Sequence, residues 1–207
     1  MKTVAIISQK GGAGKTTLAL LLAVAAERRD KPVAVLDIDP QASASQWKDR
    51  REGDSPSVTS IQATRLSKAL EVATSAGAAL TIIDSAPHSA DAAVAAIEAA
   101  DLILIPCRPG ILDLGAIATT ARLGKVAGKP AYVVLNAVPP NSPRIVEDAK
   151  EAVQMHGLPV APALLHQRSA FAHALTAGQT AEEYEPKGKA AEEIGELFKW
   201  LANLLKL

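Results

Sequence analysis

Three observations predict an α/β fold with one domain over residues 1–207, built on a doubly wound, mostly parallel sheet flanked by helices. Short apolar runs alternate with longer segments of helical periodicity, the order of repeated strand-helix-strand units. The runs are apolar at nearly every position rather than every second one, so the strands should be buried on both faces, as in a sheet covered by helices on either side. A chain of 207 residues that is 48% hydrophobic is long enough for one ordinary domain with a substantial core.

Taken in order, strands are expected over 4–7, 33–36, 80–83, 102–105 and 132–135, where Val, Ile, Leu and Ala cluster. Helices are expected over 16–29, 42–51, 66–75, 90–99, 114–126, 143–156, 169–177 and 187–205, each with apolar residues at three- and four-residue spacing. The Gly- and Pro-containing stretches 53–57 and 139–143 read as loops, too short to link domains. No internal repeat is present.

The first strand leads directly into Gln9-Lys-Gly-Gly-Ala-Gly-Lys-Thr-Thr17, and a Leu/Ala-rich helical segment follows. Strand, glycine loop and helix thus occur in the order of a phosphate-binding loop, and the predicted fold is a P-loop NTPase. Gly11, Gly12, Ala13 and Gly14 let successive backbone N–H groups turn toward one anion, and the helix N-terminus adds its positive dipole end. Lys15 would then reach the β- and γ-phosphates, the Thr16 hydroxyl would ligate Mg²⁺, and Thr17 would sit on the α-phosphate side. ATP and Mg²⁺ are the implied cofactors.

In open α/β sheets ligands bind outside the carboxyl ends of the strands, and the polar motifs fall there. Asp37 and Asp39 follow the second run, Asp84 follows Leu80-Thr-Ile-Ile83, and Asn136 follows the last. Asp84 has the position of a carboxylate that holds Mg²⁺ directly or through water. Asn136 can both donate to and accept from a base edge, or form a turn beside Pro139-Pro140.

Lys10-Gly-Gly-Ala-Gly-Lys-Thr-Thr17 together with Asp37-Ile-Asp-Pro-Gln41 resembles the ParA/MinD family of deviant Walker ATPases, most of all its small ParA-type partition and cargo-positioning members. The resemblance implies that Lys10 reaches across an ATP-sandwiched homodimer to the partner's phosphates. It implies that Asp39 orients the attacking water, that Asp37 helps the Mg²⁺ shell, and that Asn136 lies against the adenine ring. With Lys10, Lys15 and Asp39 as catalytic residues, ATP hydrolysis should be slow until a ParB-like or other small partner stimulates it. The implied task is plasmid partition, chromosome segregation or the positioning of another large cargo, with nonspecific nucleoid DNA bound in the ATP state. Asp113, in the segment after the fourth run, reads as a nucleotide or partner contact or equally as a helix cap. Arg168 resembles an arginine of small ParA-type chains that contributes to DNA contact, with a surface salt bridge as the alternative.

Composition limits the remaining classes. Lys+Arg and Asp+Glu both number 22, so no overall field draws the chain to nucleic acid or acidic lipid, and a DNA-binding surface must be local. No signal-peptide pattern and no long apolar run is seen, which with the lone Cys107 suggests a cytoplasmic, nucleoid-associated protein. One cysteine is too few for the bridging cluster of a nitrogenase iron protein, and Cys107 reads as a small buried residue. His88, His156, His166 and His173 lack metal-type spacing. The apolar stripe Ile194, Leu197, Phe198, Leu201, Leu204 and Leu205 would suit a MinD-like membrane-surface helix, but Glu192, Glu193 and Glu196 on its polar side favour packing on the sheet. A metabolic ATP-dependent enzyme on the same scaffold is the further rival.

Overall fold

The computed structural model describes residues 1–87 and 89–207. His88 lies outside the described residues. Strands β1 (Lys2–Ile6), β2 (Val33–Asp37), β3 (Ser57–Ser60), β4 (Leu80–Asp84), β5 (Leu102–Cys107) and β6 (Ala131–Leu135) form one sheet in the order β3-β2-β4-β1-β5-β6. Every strand pair is parallel, so the sheet is wholly rather than mostly parallel among the described residues. The helices are α1 (Lys15–Glu27), α2 (Ser43–Lys48), α3 (Leu66–Ser75), α4 (Ala90–Ala99), α5 (Ile111–Val126), α6 (Pro143–Met155), α7 (Ser169–Thr176), α8 (Ala181–Tyr184) and α9 (Lys189–Leu205).

Alternation along each strand divides two cores. Val4 and Ile6 of β1 face a core shared with α1, α2 and α9, while Ala5 and Ile7 face one shared with α4, α5 and α6. Helix α1 is buried from Leu18 to Ala26, because the sheet covers one side and α9 the other. The stripe of α9 is therefore core. Ile194, Leu197, Phe198, Leu201 and Leu205 are buried, Leu204 stays partly exposed, and Trp200 stacks edge-on against Tyr132 with ring centroids 5.0 Å apart. Among the described residues no helix is long and apolar enough to cross a membrane.

Strand β3, the chain beyond β6 and the four-residue helix α8 depart from the expected elements. Strand β3 lies partly in the expected 53–57 loop; it is a short, mostly exposed edge strand, Ser-Val-Thr-Ser, with only one apolar residue to announce it. Beyond β6 the chain returns alongside the other edge, where Ala161 N–H donates to the Val133 carbonyl (2.8 Å) and Leu165 N–H to that of Leu135 (3.0 Å). This return carries residues 166–168 to the same end of the sheet as Asn136.

Parallel register delivers the acids. Asp37 pairs with Asp84, which in turn pairs with Ile6, the last residue of β1 before the glycine loop. Strand β1 has the later strands β4 and β5 on its two sides, so the loop leaves the sheet where the strand order reverses, the usual place for a ligand crevice.

Candidate functional site

The glycine loop takes its shape from two left-handed residues, Gly12 at φ 73° and Gly14 at φ 95°. Gly14 is the residue before α1, and a Cβ there would collide with the Asn136 side-chain amide. The contact explains Asn136: its Nδ2 donates to the Ala13 carbonyl at 2.8 Å, and its Oδ1 accepts from Ala137 N–H at 2.8 Å. Asn136 thus braces the loop.

Lys15, at the first position of α1, is buried. Burial lowers its pKa, an effect that the nearby Asp84 and Asp39 carboxylates partly offset. Asp84 is fully buried and neither of its oxygens has a hydrogen-bond partner among the described residues. Burial pushes its carboxyl up to about 7, Asp37 and Asp39 push the same way, and the Thr16 hydroxyl and Lys15 offset only part. An orphaned carboxylate at the base of an anion-binding loop is what a hydrated cation would satisfy. Among the described residues no cluster of three His, Cys, Asp or Glu could hold a metal alone. Mg²⁺ is usually held by one or two carboxylates together with water and phosphate oxygens. The donor set of Thr16 and Asp84 fits it.

Asp37 and Asp39 divide the next turn between them. Asp37 is fully buried, its Oδ1 accepting from Asp39 N–H (3.1 Å) and its Oδ2 from Ala44 N–H (3.0 Å) in the first turn of α2. Burial raises its pKa and these backbone donors counter the rise. Asp39 is half-exposed, with Oδ1 accepting from Gln41 N–H (2.9 Å), and it lines the cavity over the glycine loop. Ala42 takes φ 51° in this turn, a left-handed conformation uncommon for alanine.

That cavity has a volume of about 830 Å³, and its walls include Lys15, Thr16, Asp39, Asn136, Arg108 and Arg168. Lys10 is half-exposed at the head of the loop but is not among the lining residues. Arg168 is committed to α9: its Nε donates to Glu193 Oε1 at 2.9 Å, and His166 Nδ1 lies 2.8 Å from the same oxygen. Cys107 is buried and its thiol pushed up to about 12, first by burial and then by Asp113. Asp113 lies in the first turn of α5. Arg108 and the 166–168 strip are wall residues that the sequence reading did not assign to this cleft. The first directly follows a strand, the signal that singled out Asp84; the second depends on the return along β6.

A glycine loop on the central strand, a buried lysine, a hydroxyl and an unpartnered carboxylate together define a phosphate-binding nucleotide site. Residues 4–181 match the model of the CobQ/CobB/MinD/ParA nucleotide binding domain, and the chain belongs to that family. It is 32% identical over 207 residues to the maintenance of carboxysome distribution protein A of Gloeobacter kilaueensis, covering 99% of this chain and 94% of that one. Protein ParA of Rhizobium radiobacter is 33% identical over 117 residues, 55% of this chain and 51% of that one. Among solved structures the fold is shared with the septum site-determining protein MinD of Pyrococcus horikoshii complexed with Mg-ADP (TM-score 0.81, 19% identical, 98% of this chain and 96% of that one). It is shared too with a McdA-ATP complex from Cyanothece (TM-score 0.73, 20% identical, 100% of this chain and 97% of that one).

Proposed function

We propose that this chain is an ATP-dependent dimerising switch that positions DNA or another large cargo, binding nucleoid DNA nonspecifically in its ATP state and released when a small partner stimulates hydrolysis. The observation that carries the reading is the division of labour between the loop's two lysines. Lys15 faces the cleft of its own chain, whereas Lys10, in the same loop, stays outside it and remains free to serve a second copy. The carboxysome-distribution relative supports a positioning role, and the ParA and MinD likenesses support the same class. The buried stripe of α9 leaves a membrane-surface helix without its apolar face.

Bound Mg-ATP would supply the scissile phosphoryl group and most of the local charge. The loop N–H groups and Lys15 would hold its phosphates, while Thr16 and Asp84 hold the cation. Asp39, ordered by the turn that Asp37 closes, would orient a water for in-line attack, and Lys10 of a second copy would complete the cation set. Asn136 serves the site by bracing Ala13.

Asp39→Ala tests the reading. It removes the carboxylate but keeps the Asp39 N–H bond to Asp37, so nucleotide binding should survive while hydrolysis falls by about 10² or more. Size-exclusion chromatography with ATP should then show a long-lived dimer that stays on DNA, and raising salt should release it steeply. A monomer with ATP, or wild-type turnover, would refute the assignment.

A further inference from the structure

We propose that Arg108 is a third phosphate-facing cation of this cleft, supplied by the same chain from the end of β5, and that it reads the terminal phosphate of the nucleotide. The inference rests on the nucleotide-binding reading and deepens it. Strand β5 lies beside β1, with Ile6 opposite Leu104 and Ile7 N–H donating to the Leu104 carbonyl at 3.0 Å. On its other side Asn136 N–H donates to the Cys107 carbonyl at 2.8 Å. Arg108 therefore leaves the sheet between the glycine loop and the asparagine that braces it. One guanidinium nitrogen lies 4.0 Å from where a Cβ on Gly12 would stand, and the side chain lines the cavity over Lys15 and Thr16.

Of the other two arginines that line the cavity, Arg168 is held by Glu193, whereas Arg50 stands just past α2 rather than between the glycine loop and Asn136. Among the described residues no carboxylate lies within ion-pair distance of Arg108. An arginine kept at an anion site without a counterion is suited to an anion that arrives. The loop's direction says which part of the anion it meets. Thr17 sits inside α1 at the inner end of the phosphate track, while Gly11 and Gly12 form the exposed outer lip. A triphosphate lying along this track would extend toward the Gly12 lip and the Arg108 fork, where a diphosphate would stop short. A guanidinium can hold phosphate through two parallel N–H bonds, which a lysine cannot reproduce.

The test is calorimetric titration of wild type, R108A and R108K with Mg-ADP and with Mg-AMPPNP. Arg108 is exposed and unpaired, so the variants should melt with the wild type. R108A should weaken the triphosphate analogue by about ten-fold or more, the scale of a lost charge-assisted bond, and ADP by less than about three-fold. R108K should recover only part of the loss. Equal weakening of both nucleotides, or of neither, would overturn the proposal while leaving the site assignment standing. Wild-type protein that binds neither nucleotide would bring down the nucleotide reading and this inference with it.

Discussion

The glycine loop and helix α2 stand on two sides of the same cleft and are held in opposite ways. The loop shapes itself: glycines at 12 and 14 adopt left-handed conformations, α1 follows at once, and among the described residues its one long-range hydrogen bond comes from Asn136. Helix α2 has six residues and depends on distant ones. Asp37 holds its N-terminal end, and its C-terminal end is latched to the turn before α8. Trp47 Nε1 donates to the Gln179 carbonyl (3.2 Å), and Arg51, just past the helix, donates to the Gly178 carbonyl (3.1 Å) and forks onto Glu183 (2.6 and 2.9 Å). The Arg51 guanidinium also lies 5.0 Å from the Trp47 ring centroid. The loop's geometry is thus written locally, whereas the segment that aims Asp39 is set by tertiary structure. Damage to the first should abolish binding, and damage to the second should loosen the fold and the chemical step while binding persists.

Lys15→Ala should give the largest effect. It removes the buried cation of the loop, so affinity for Mg-ATP should fall by roughly 100-fold or more, measured by calorimetry. Because burial disfavours the Lys15 charge in the unliganded fold, the variant should melt no earlier than wild type. Unchanged affinity would break the comparison at its root.

Gly178→Ala strikes the other region. Gly178 has φ 69°, and an added Cβ would stand 2.5 Å from the Arg50 carbonyl oxygen and 2.8 Å from the Arg51 Cα. Backbone cannot yield cheaply, so a loss of roughly 2–4 kcal/mol is expected in urea unfolding. Below the unfolding transition Mg-ADP affinity should stay within about three-fold, since no loop residue is touched.

Arg51→Ala should cost about 1–3 kcal/mol, because it leaves the largely buried Glu183 without its fork. Burial works against the Glu183 charge, yet the Arg51 guanidinium and the Thr180 N–H outweigh it and hold its carboxyl below the ordinary 4.5. A depressed carboxyl pKa stabilises the fold above the unfolded value, and the contribution is lost as pH falls through the folded one. The gap between wild type and Arg51→Ala should therefore be full at neutral pH and shrink below about 4.5. A gap that grew in acid would refute the ion pair. If α2 aims Asp39, hydrolysis should also fall with little change in nucleotide affinity.

The same contrast explains what could be read from the chain. Residues 9–17 carry their chemistry in consecutive positions, and Asp37, Asp84 and Asn136 each directly end an apolar strand, so a rule about strand ends finds them. Strand β3 escaped because an edge strand needs no apolar run, and α8 because four residues show no period. The latch escaped for a deeper reason. Arg51 and Glu183 are 132 positions apart, and each looks alone like a solvated charge. Only the docking of the C-terminal end of α2 on the turn between α7 and α8 makes them partners.

Thr180→Ala is the smallest and most selective test of that packing. Thr180 is buried and closes a reciprocal capping box with Glu183 at the start of α8, its own N–H donating to Glu183 Oε2 at 2.9 Å. The alanine variant keeps this backbone bond and the Arg51 fork but loses the hydroxyl, which should cost about 1 kcal/mol in urea unfolding. Serine retains the hydroxyl and should recover most of it. The effect should nearly vanish in an Arg51→Ala background if cap and fork hold Glu183 as one unit, because contacts sharing a partner are not additive. Full additivity in that double-mutant cycle would mean that the cap of α8 and the Arg51 fork hold Glu183 independently.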